Sequence, residues 1–383
     1  MFKTKHALTE VQTERIKHLQ EKCNYLMERV GRISYQNIYK HQQIYSTRNS
    51  AICVVAKSGC TFLKQIIYYL NDPKKLLGLR KPKHNAEELK NVTLLQKNVF
   101  NLARKDIHYL LNFDNVQVTA RDFRKGMFLK AIVARNPYSR LYSAYLDKIY
   151  VPVFEDVFQA KYEEIISTGS KVTQLKACKD YVSFEDFLKH VLSESRKSNG
   201  NPHWLPAYSQ CNACRAKPDI VIKQETYYED IEYYLSQIDI SSSEWEEIDS
   251  AIAKKGIQSD SIITGLIQTM FDKSLESELS ICFSKIQIAQ RIWEALQFQG
   301  QIYQNQKFPV VRLKNMHLDA TSVAGVFLSQ IKKMPITVEE SKNQRKNALA
   351  RAFRNIKPEL IINIQAMFYY DFMIFNYDFE PPK

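Results

Sequence analysis

The sequence predicts an α/β fold with a central parallel sheet flanked by helices. Two short apolar stretches, AICVVA from Ala51 and FLKAIVA from Phe128, each run into a basic turn and then into an amphipathic helix. A third segment, DIVIKQE from Asp219, reads as another short strand. Hydrophobic content of 45% and aromatic content of 12% supply enough apolar surface for a sizeable core.

A chain of 383 residues holds one large α/β domain or two smaller ones. The 54 Lys and Arg outnumber the 41 Asp and Glu, for a net charge of +13. That surplus favours anionic partners, whether nucleic acid, acidic polysaccharide, nucleotide or acidic membrane. No apolar run approaches the roughly 20 residues of a membrane span. The first residues, MFKTKHALTEVQTERIKHLQEK, contain no apolar signal core, so the chain as written reads as soluble. Seven cysteines are too few for a disulfide scaffold, and the odd number leaves at least one thiol unpaired. A single sequon, Asn91-Val92-Thr93, matters only in a secretory compartment.

Residues 1–48 read as a polar helix and connector, and residues 50–70 as the first strand, turn and helix. Residues 71–90, with Pro and many Lys, read as a basic surface loop, and 92–125 as helical followed by a connector. The second strand covers 128–134, and its helix starts at Pro137, where a missing N–H costs nothing. Residues 150–200 read as mainly helical, with helical apolar spacing in YVSFEDFLKHVL. Ser243-x-x-Glu246 has the form of a capping box opening a helix. From Pro358, Leu360, Ile361, Ile364, Met367 and Phe368 share one helical face. These readings divide the chain into an N-terminal helical segment (1–48), a main domain (49–240 with 336–383) and an insert (241–335).

The turn KSGCT follows an apolar strand. Lys57 offers a cation, Gly59 permits close backbone approach, and Thr61 can open the helix. An anion there meets the N–H groups of Ser58, Gly59, Cys60 and Thr61. This is not a Walker A sequence, whose Lys follows the second Gly and adjoins Ser or Thr. The chain therefore does not read as an ATPase or GTPase. In ARNPYSRLYSAY, Arg135 sits at the carboxyl end of a strand, where open α/β sheets bind ligands. Ser143 lies about two helical turns further on and can converge with Arg135 on one phosphate. Arg140 serves the ligand or braces the helix.

Together the two segments resemble the donor-binding pair of the sulfotransferases. The likeness is closer to Golgi carbohydrate sulfotransferases of the chondroitin and dermatan 4-O-sulfotransferase type. The carrying residues are Lys57, Cys60 and Thr61, then Arg135, Pro137, Arg140, Leu141, Ser143, Ala144 and Tyr145. Downstream, in the family's order, come Phe184-Glu185-x-Phe187, His203-Trp204, Cys211-x-x-Cys214, Glu225-Thr226 with Asp230, and a C-terminal cluster of Tyr369, Tyr370, Asp371, Phe372, Phe375 and Tyr377. The ordered set spans about residues 50–240 and 355–378. Departures are Ala56 where the family often has Pro, a longer connector at 241–335, and no N-terminal signal-anchor helix in this chain.

The resemblance implies a P-loop-NTPase-like sulfotransferase fold and 3′-phosphoadenosine-5′-phosphosulfate as co-substrate. Lys57 to Thr61 would hold its 5′-phosphosulfate, and Arg135, Ser143 and Arg140 its 3′-phosphate. It implies no metal, an acidic glycan or proteoglycan acceptor such as chondroitin or dermatan, and the Golgi lumen or membrane as location, with membrane attachment only through an N-terminal anchor. For the acceptor proton, His203 is one candidate base, since imidazole titrates near neutrality, and Glu225 is its rival. His203 is equally a structural histidine beside Trp204, and Glu225 equally a brace for an arginine. Cys211 and Cys214 have zinc-like spacing but no second ligand pair, so a disulfide or two packed thiols is expected. The basic run 342–357 either grips a sulfated or carboxylated glycan or is a solvated helix face. The rival to an enzyme is a non-catalytic binder of heparin-like polymer; nucleic acid is not expected, because no zinc finger, aromatic RNA-binding motif or basic zipper is present.

Overall fold

Strands that bury both faces are mostly apolar, and three of the four strands are so, each with a single polar residue at or next to an end. The computed structural model describes residues 5–30, 43–71, 97, 99–101, 117–151, 182–194, 200–254, 260–271 and 283–383. The basic stretch from 72 to 90, the Asn91 sequon and the helical readings over 102–116 and 152–181 lie outside the described residues. In chain order the strands are β1 (Ile44–Thr47), β2 (Ser50–Cys53), β3 (Leu129–Ala134) and β4 (Ile220–Lys223), paired in the order β1-β2-β3-β4. β2, β3 and β4 run parallel, with Ile52 opposite Ala131 and Ile132 opposite Val221.

The sheet is mixed, not wholly parallel. β1 pairs antiparallel with β2 because only Arg48 and Asn49 separate them, and a two-residue connection can only reverse the chain. Arg48 takes a left-handed conformation (φ 49°) in that turn. Residues 44–47 thus form a strand where the sequence suggested a connector.

The helices, in order, are α1 (Lys5–Val30), α2 (Cys60–Leu70), α3 (Ala120–Lys125), α4 (Pro137–Tyr145), α5 (Phe184–Glu194), α6 (Ala207–Cys211), α7 (Ala213–Ala216), α8 (Tyr227–Ser236), α9 (Ser242–Lys254), α10 (Asp260–Met270), α11 (Lys285–Phe298), α12 (Val310–Lys314), α13 (Ala320–Lys333), α14 (Val338–Arg354), α15 (Pro358–Met367) and α16 (Tyr369–Ile374). The chain divides into two compact units: residues 1–140, 191–253 and 361–380, and residues 141–190, 254–360 and 381–383.

The first unit contains the sheet. Alternate side chains of each strand enter opposite cores. Ile52, Val54, Ala131, Val133, Ile220 and Ile222 pack with Leu63, Ile66 and Ile67 of α2 and with Ile231, Tyr234 and Leu235 of α8. Ala51, Cys53, Val55, Ile132, Ala134 and Val221 pack with Leu19, Cys23 and Leu26 of α1 and with α6 and α7. The edge strand β4 is covered: Gln12 of α1 donates Nε2 to Val221 O (3.1 Å) and accepts Val221 N–H on Oε1 (3.0 Å). Pairing of this kind removes an open edge as a template for aggregation.

Two disulfides cross this unit, Cys23–Cys214 and Cys53–Cys211. Cys211 and Cys214 are therefore both oxidised, but not with each other. Asn212 between α6 and α7 is left-handed (φ 48°) and turns the chain between them, so one cysteine reaches β2 and the other α1. Cys60 is buried and takes part in neither disulfide. The expected capping box is displaced: Ser241, not Ser243, opens α9, with Glu244 N–H donated to Ser241 Oγ (3.3 Å) and Ser241 N–H to Glu244 Oε2 (2.8 Å). Glu244 also pairs with Arg48, which favours this register.

The second unit is helical in its described residues. Its core joins Ile263, Ile267, Ile292, Trp293, Leu296, Val323, Phe327 and Ile331. Capping boxes start α11 (Ser284 with Gln287), α13 (Asp319 with Ser322) and α14 (Thr337 with Glu340). The basic run 342–357 falls mainly on α14, whose Lys342, Lys346, Arg351 and Arg354 are exposed.

Candidate active site

The carboxyl ends of β2, β3 and β4 carry the residues that the motifs single out. After β2 the chain stays buried through Val54, Val55 and Ala56. Lys57 (φ 67°) and Gly59 (φ 83°) are then both left-handed, with Ser58 between them. A non-glycine residue there costs on the order of 1–2 kcal/mol and persists only where its surroundings hold it. At Gly59 a Cβ would lie 2.6 Å from Cε2 of Tyr227, whose hydroxyl donates to Gly59 O (2.7 Å). Glycine is therefore required twice over, by conformation and by the tyrosine ring against it.

Gly59 caps α2 and supplies no side chain to the first-turn amides, which the helix's own ladder does not use. The positive end of the helix dipole and these N–H groups face any anion in the turn. Ser58 Oγ is wholly buried and, among the described residues, has no hydrogen-bond partner. Leaving such a hydroxyl unmatched costs about 1–3 kcal/mol. This donor set fits a phosphate-like group.

Arg135 follows β3 directly and is half-buried. It donates Nη1 to Lys57 O (2.6 Å) and Nε to Ser139 Oγ (3.0 Å). Arg140 lies one turn into α4 and is 1% exposed. It donates Nε to Ala56 O (2.9 Å), Nη1 to Leu205 O (2.6 Å) and Nη2 to Pro202 O (2.9 Å). Burial pushes its guanidinium down to about 10, opposed by Asp371, so it stays charged at neutral pH. Of the two roles open to Arg140 from sequence, the geometry is that of a brace. It ties the residue before Lys57 to the carbonyls on either side of His203-Trp204. Gln210 Nε2 and Asp371 complete the clasp: Gln210 donates to Leu205 O (2.8 Å), and Asp371 accepts Ala207 N–H and Tyr208 N–H (2.7 Å each).

His203 is half-buried. Its backbone N–H lies 3.0 Å, and its Nδ1 2.7 Å, from Asn201 Oδ1. A backbone N–H only donates, so the Asn201 atom is the carbonyl oxygen and Nδ1 carries the proton in neutral His203. Nε2 is then the basic nitrogen. Trp204 is buried beside it and donates Nε1 to Glu194 Oε2 (2.7 Å). Glu225, just past β4, uses both oxygens: Oε1 accepts Asn136 N–H (2.9 Å) and Oε2 accepts the Tyr377 hydroxyl (3.1 Å). It thereby holds the residue next to Arg135.

Lys57, Ser58, Gly59, Arg135, Arg140, His203 and Glu225 are thus joined by short chains of bonds through Ala56, Asn136, Pro202 and Leu205. Ser143 follows on α4, half-buried, in the part of the helix that belongs to the second unit. Tyr227, Asn201, Asn136 and Ser139 were not singled out from sequence. Asn201 and Asn136 carried a weak signal, since each stands beside a motif residue; nothing pointed to Tyr227. Among the described residues no group of His, Cys, Asp and Glu has metal-holding geometry, and no helix is long and apolar enough to cross a membrane.

Residues 40–275, more than half of the chain, match the sulfotransferase family, and the chain belongs to that family. It is 27% identical over 253 residues to human carbohydrate sulfotransferase 9, covering 60% of this chain and 48% of the relative. It is 27% identical over 226 residues to mouse carbohydrate sulfotransferase 11, covering 57% and 59%. Zebrafish carbohydrate sulfotransferase 14 is 28% identical over 142 residues, covering 35% of this chain and 36% of the relative. The chain thus spans about half the length of the curated relatives it matches first. No solved structure gives a significant match.

Proposed function

We propose that this protein transfers a sulfuryl group from 3′-phosphoadenosine-5′-phosphosulfate to a hydroxyl of an acidic glycan such as chondroitin or dermatan, on a P-loop-NTPase-like sulfotransferase fold. The observation that carries the reading is the clasp between the two turns: Arg135 and Arg140 of the second segment hold the carbonyls of Lys57 and Ala56 in the first. That closeness suits a ligand with an anionic group at each end.

In this reading the amides of residues 58–61 and Ser58 Oγ hold the 5′-phosphosulfate, and Arg135 takes the 3′-phosphate. The acceptor hydroxyl attacks sulfur in line. The new O–S bond forms as the bond from sulfur to the bridging oxygen breaks, and the electron pair leaves on the nucleotide's 5′-phosphate. Lys57 stabilises that charge. The hydroxyl proton passes to His203 Nε2, the nitrogen left basic by the Asn201 contact. Glu225 and Arg140 are given positioning roles, because their polar atoms are already bonded to the turns. The net charge of +13 attracts an acidic acceptor. Two disulfides, stable in an oxidising compartment, support a secretory-pathway location such as the Golgi lumen.

The test is transfer of radiolabelled sulfate from the phosphosulfate donor to a panel of desulfated chondroitin, dermatan and heparan chains. Lys57→Ala should reduce transfer by about 100-fold or more without lowering Tm. Near-normal turnover in that variant refutes the role of Lys57. 3′-Phosphoadenosine-5′-phosphate should raise Tm, and Arg135→Ala should abolish the rise. Stabilisation by heparin-like polymer but not by nucleotide would identify a non-catalytic polyanion binder instead.

A further inference from the structure

β4 carries at its carboxyl end a lysine that the scheme above does not use. Lys223 stands two residues beyond Val221 and so faces the same side of the sheet as α1. There α1, the end of β4 and the chain after α16 enclose a cleft lined by Glu14, Arg15, His18, Lys223, Phe375 and Asn376.

The charges around it are mostly spoken for. Arg15 donates Nη1 to Val221 O (3.0 Å) and to Asp230 Oδ2 (2.7 Å), and Nη2 to Thr226 Oγ1 (2.9 Å). Asp230 also accepts Lys223 N–H (2.8 Å) and the Thr226 hydroxyl (2.7 Å). His18 Nε2 lies 2.9 Å from Met373 O, which only accepts, so that nitrogen carries a proton. Glu225 has both oxygens engaged by Asn136 and Tyr377. Lys223 differs. Its Nζ sits 4.6 Å from the centre of the Tyr377 ring and, among the described residues, meets no hydrogen-bond or ion-pair acceptor. Burial, and then the charge of Arg15, pushes it down to about 8, against the pull of Glu225 and Asp230.

We propose that this cleft is a second anion-binding subsite, taking a carboxylate or sulfate-ester group of the glycan, with Lys223 as its ion-pair partner. An ammonium held on an aromatic face has one side supported and the other open to an acceptor. An entering anion replaces the water that burial removed and strengthens in the lowered dielectric. The subsite communicates with the donor turns through bonded atoms: Tyr377 donates to Glu225, and Glu225 holds Asn136 beside Arg135. The identity of the ligand rests on the glycan reading above; the affinity for a small anion does not.

Reductive methylation with isotopically labelled formaldehyde gives each lysine an NMR signal while keeping its charge. Lys223 is assigned by the signal lost in Lys223→Arg. Inorganic sulfate and glucuronate, titrated separately, identify which group the cleft takes; glucose is the uncharged control. The expected result is a saturable shift of the Lys223 signal with at least one anion, and a rise of its titration midpoint above about 8. A Lys223 signal unmoved by both anions overturns the proposal. In the transfer assay Lys223→Gln should raise KM for the glycan about tenfold with kcat little changed, and Lys223→Arg should restore it. Nucleotide stabilisation should be the same in all three proteins. An unchanged KM in Lys223→Gln also overturns the proposal. If the wild-type protein transfers no sulfate yet the Lys223 signal still shifts, the transfer reading fails and the subsite stands.

Discussion

In the sheet-bearing unit polar side chains join residues far apart in the chain. Arg140 reaches Ala56, Pro202 and Leu205; Gln12 reaches Val221; Asp371 reaches Ala207 and Tyr208. In the helical unit the repeated polar devices are local, three capping boxes that each span three residues, set around an apolar cluster. Longer reaches occur there too, from Gln344 and Ser341 to the carbonyls of Gln297, Gly300 and Ile302 and between Tyr150 and Arg291 and Glu294, but they tie helices of the body together and not strand-end turns. The contrast is instructive. A helical body forms from apolar stripes and caps, whereas strand-end turns that must present fixed donors to a ligand need clasps that reach across the sheet.

Breaking the central clasp should have the largest effect. Arg140→Met removes three hydrogen bonds, leaves Ala56 O without its side-chain donor and takes the nearby cation from buried Asp371, and should cost about 3–5 kcal/mol by urea unfolding. A loss below 1 kcal/mol would show that the clasp is incidental to the fold. The neighbouring carboxylate supplies a pH test. Burial pushes Asp371 up to about 6 from 3.8, against the N–H groups of Tyr208 and Ala207 and the charge of Arg140. With the folded value raised, the folded state keeps this proton longer than the unfolded chain. The stability it contributes is complete below about 3.8 and is lost as pH rises through about 6. About two pH units correspond to about 3 kcal/mol. Stability relative to Asp371→Asn should fall by that order between those pH values; a difference that stays flat would mean that Asp371 ionises at ordinary acidity.

A disulfide comes next. Cys23→Ser opens a bridge between residues 191 apart and should cost about 2–4 kcal/mol, seen as a lowered Tm. An unchanged Tm would mean that α1 is held without it. The smallest effect belongs to the helical unit. Thr337→Ala removes one cap and should cost about 1 kcal/mol, with nucleotide affinity unaltered. A large loss of nucleotide affinity in that variant would erase the distinction drawn between the two units.

Legibility in the sequence follows the same line. β2, β3 and β4 were readable because both of their faces are buried and each is apolar but for one residue, Ser50, Lys130 or Lys223. β1 was not, because IYST mixes apolar and polar side chains and is made a strand by the hairpin turn before β2. KSGCT and Arg135 stood out as charge at strand ends. The role of Arg140 was ambiguous, since a helix N-terminal arginine looks the same whether it faces solvent or three carbonyls. Cys211 and Cys214 left a disulfide or two packed thiols open, and their actual partners, Cys23 and Cys53, lie far upstream with no pattern to name them. Tyr227 left no trace in the sequence, because its role depends on the space beside Gly59.

The two cystine bridges also impose an order on biosynthesis. Cys23 and Cys53 wait for partners 191 and 158 positions downstream, so neither closes until the ribosome has delivered Cys211 and Cys214. Until then both thiols of a nascent chain are without their native partners. A product cut short before residue 211 could form neither native bridge.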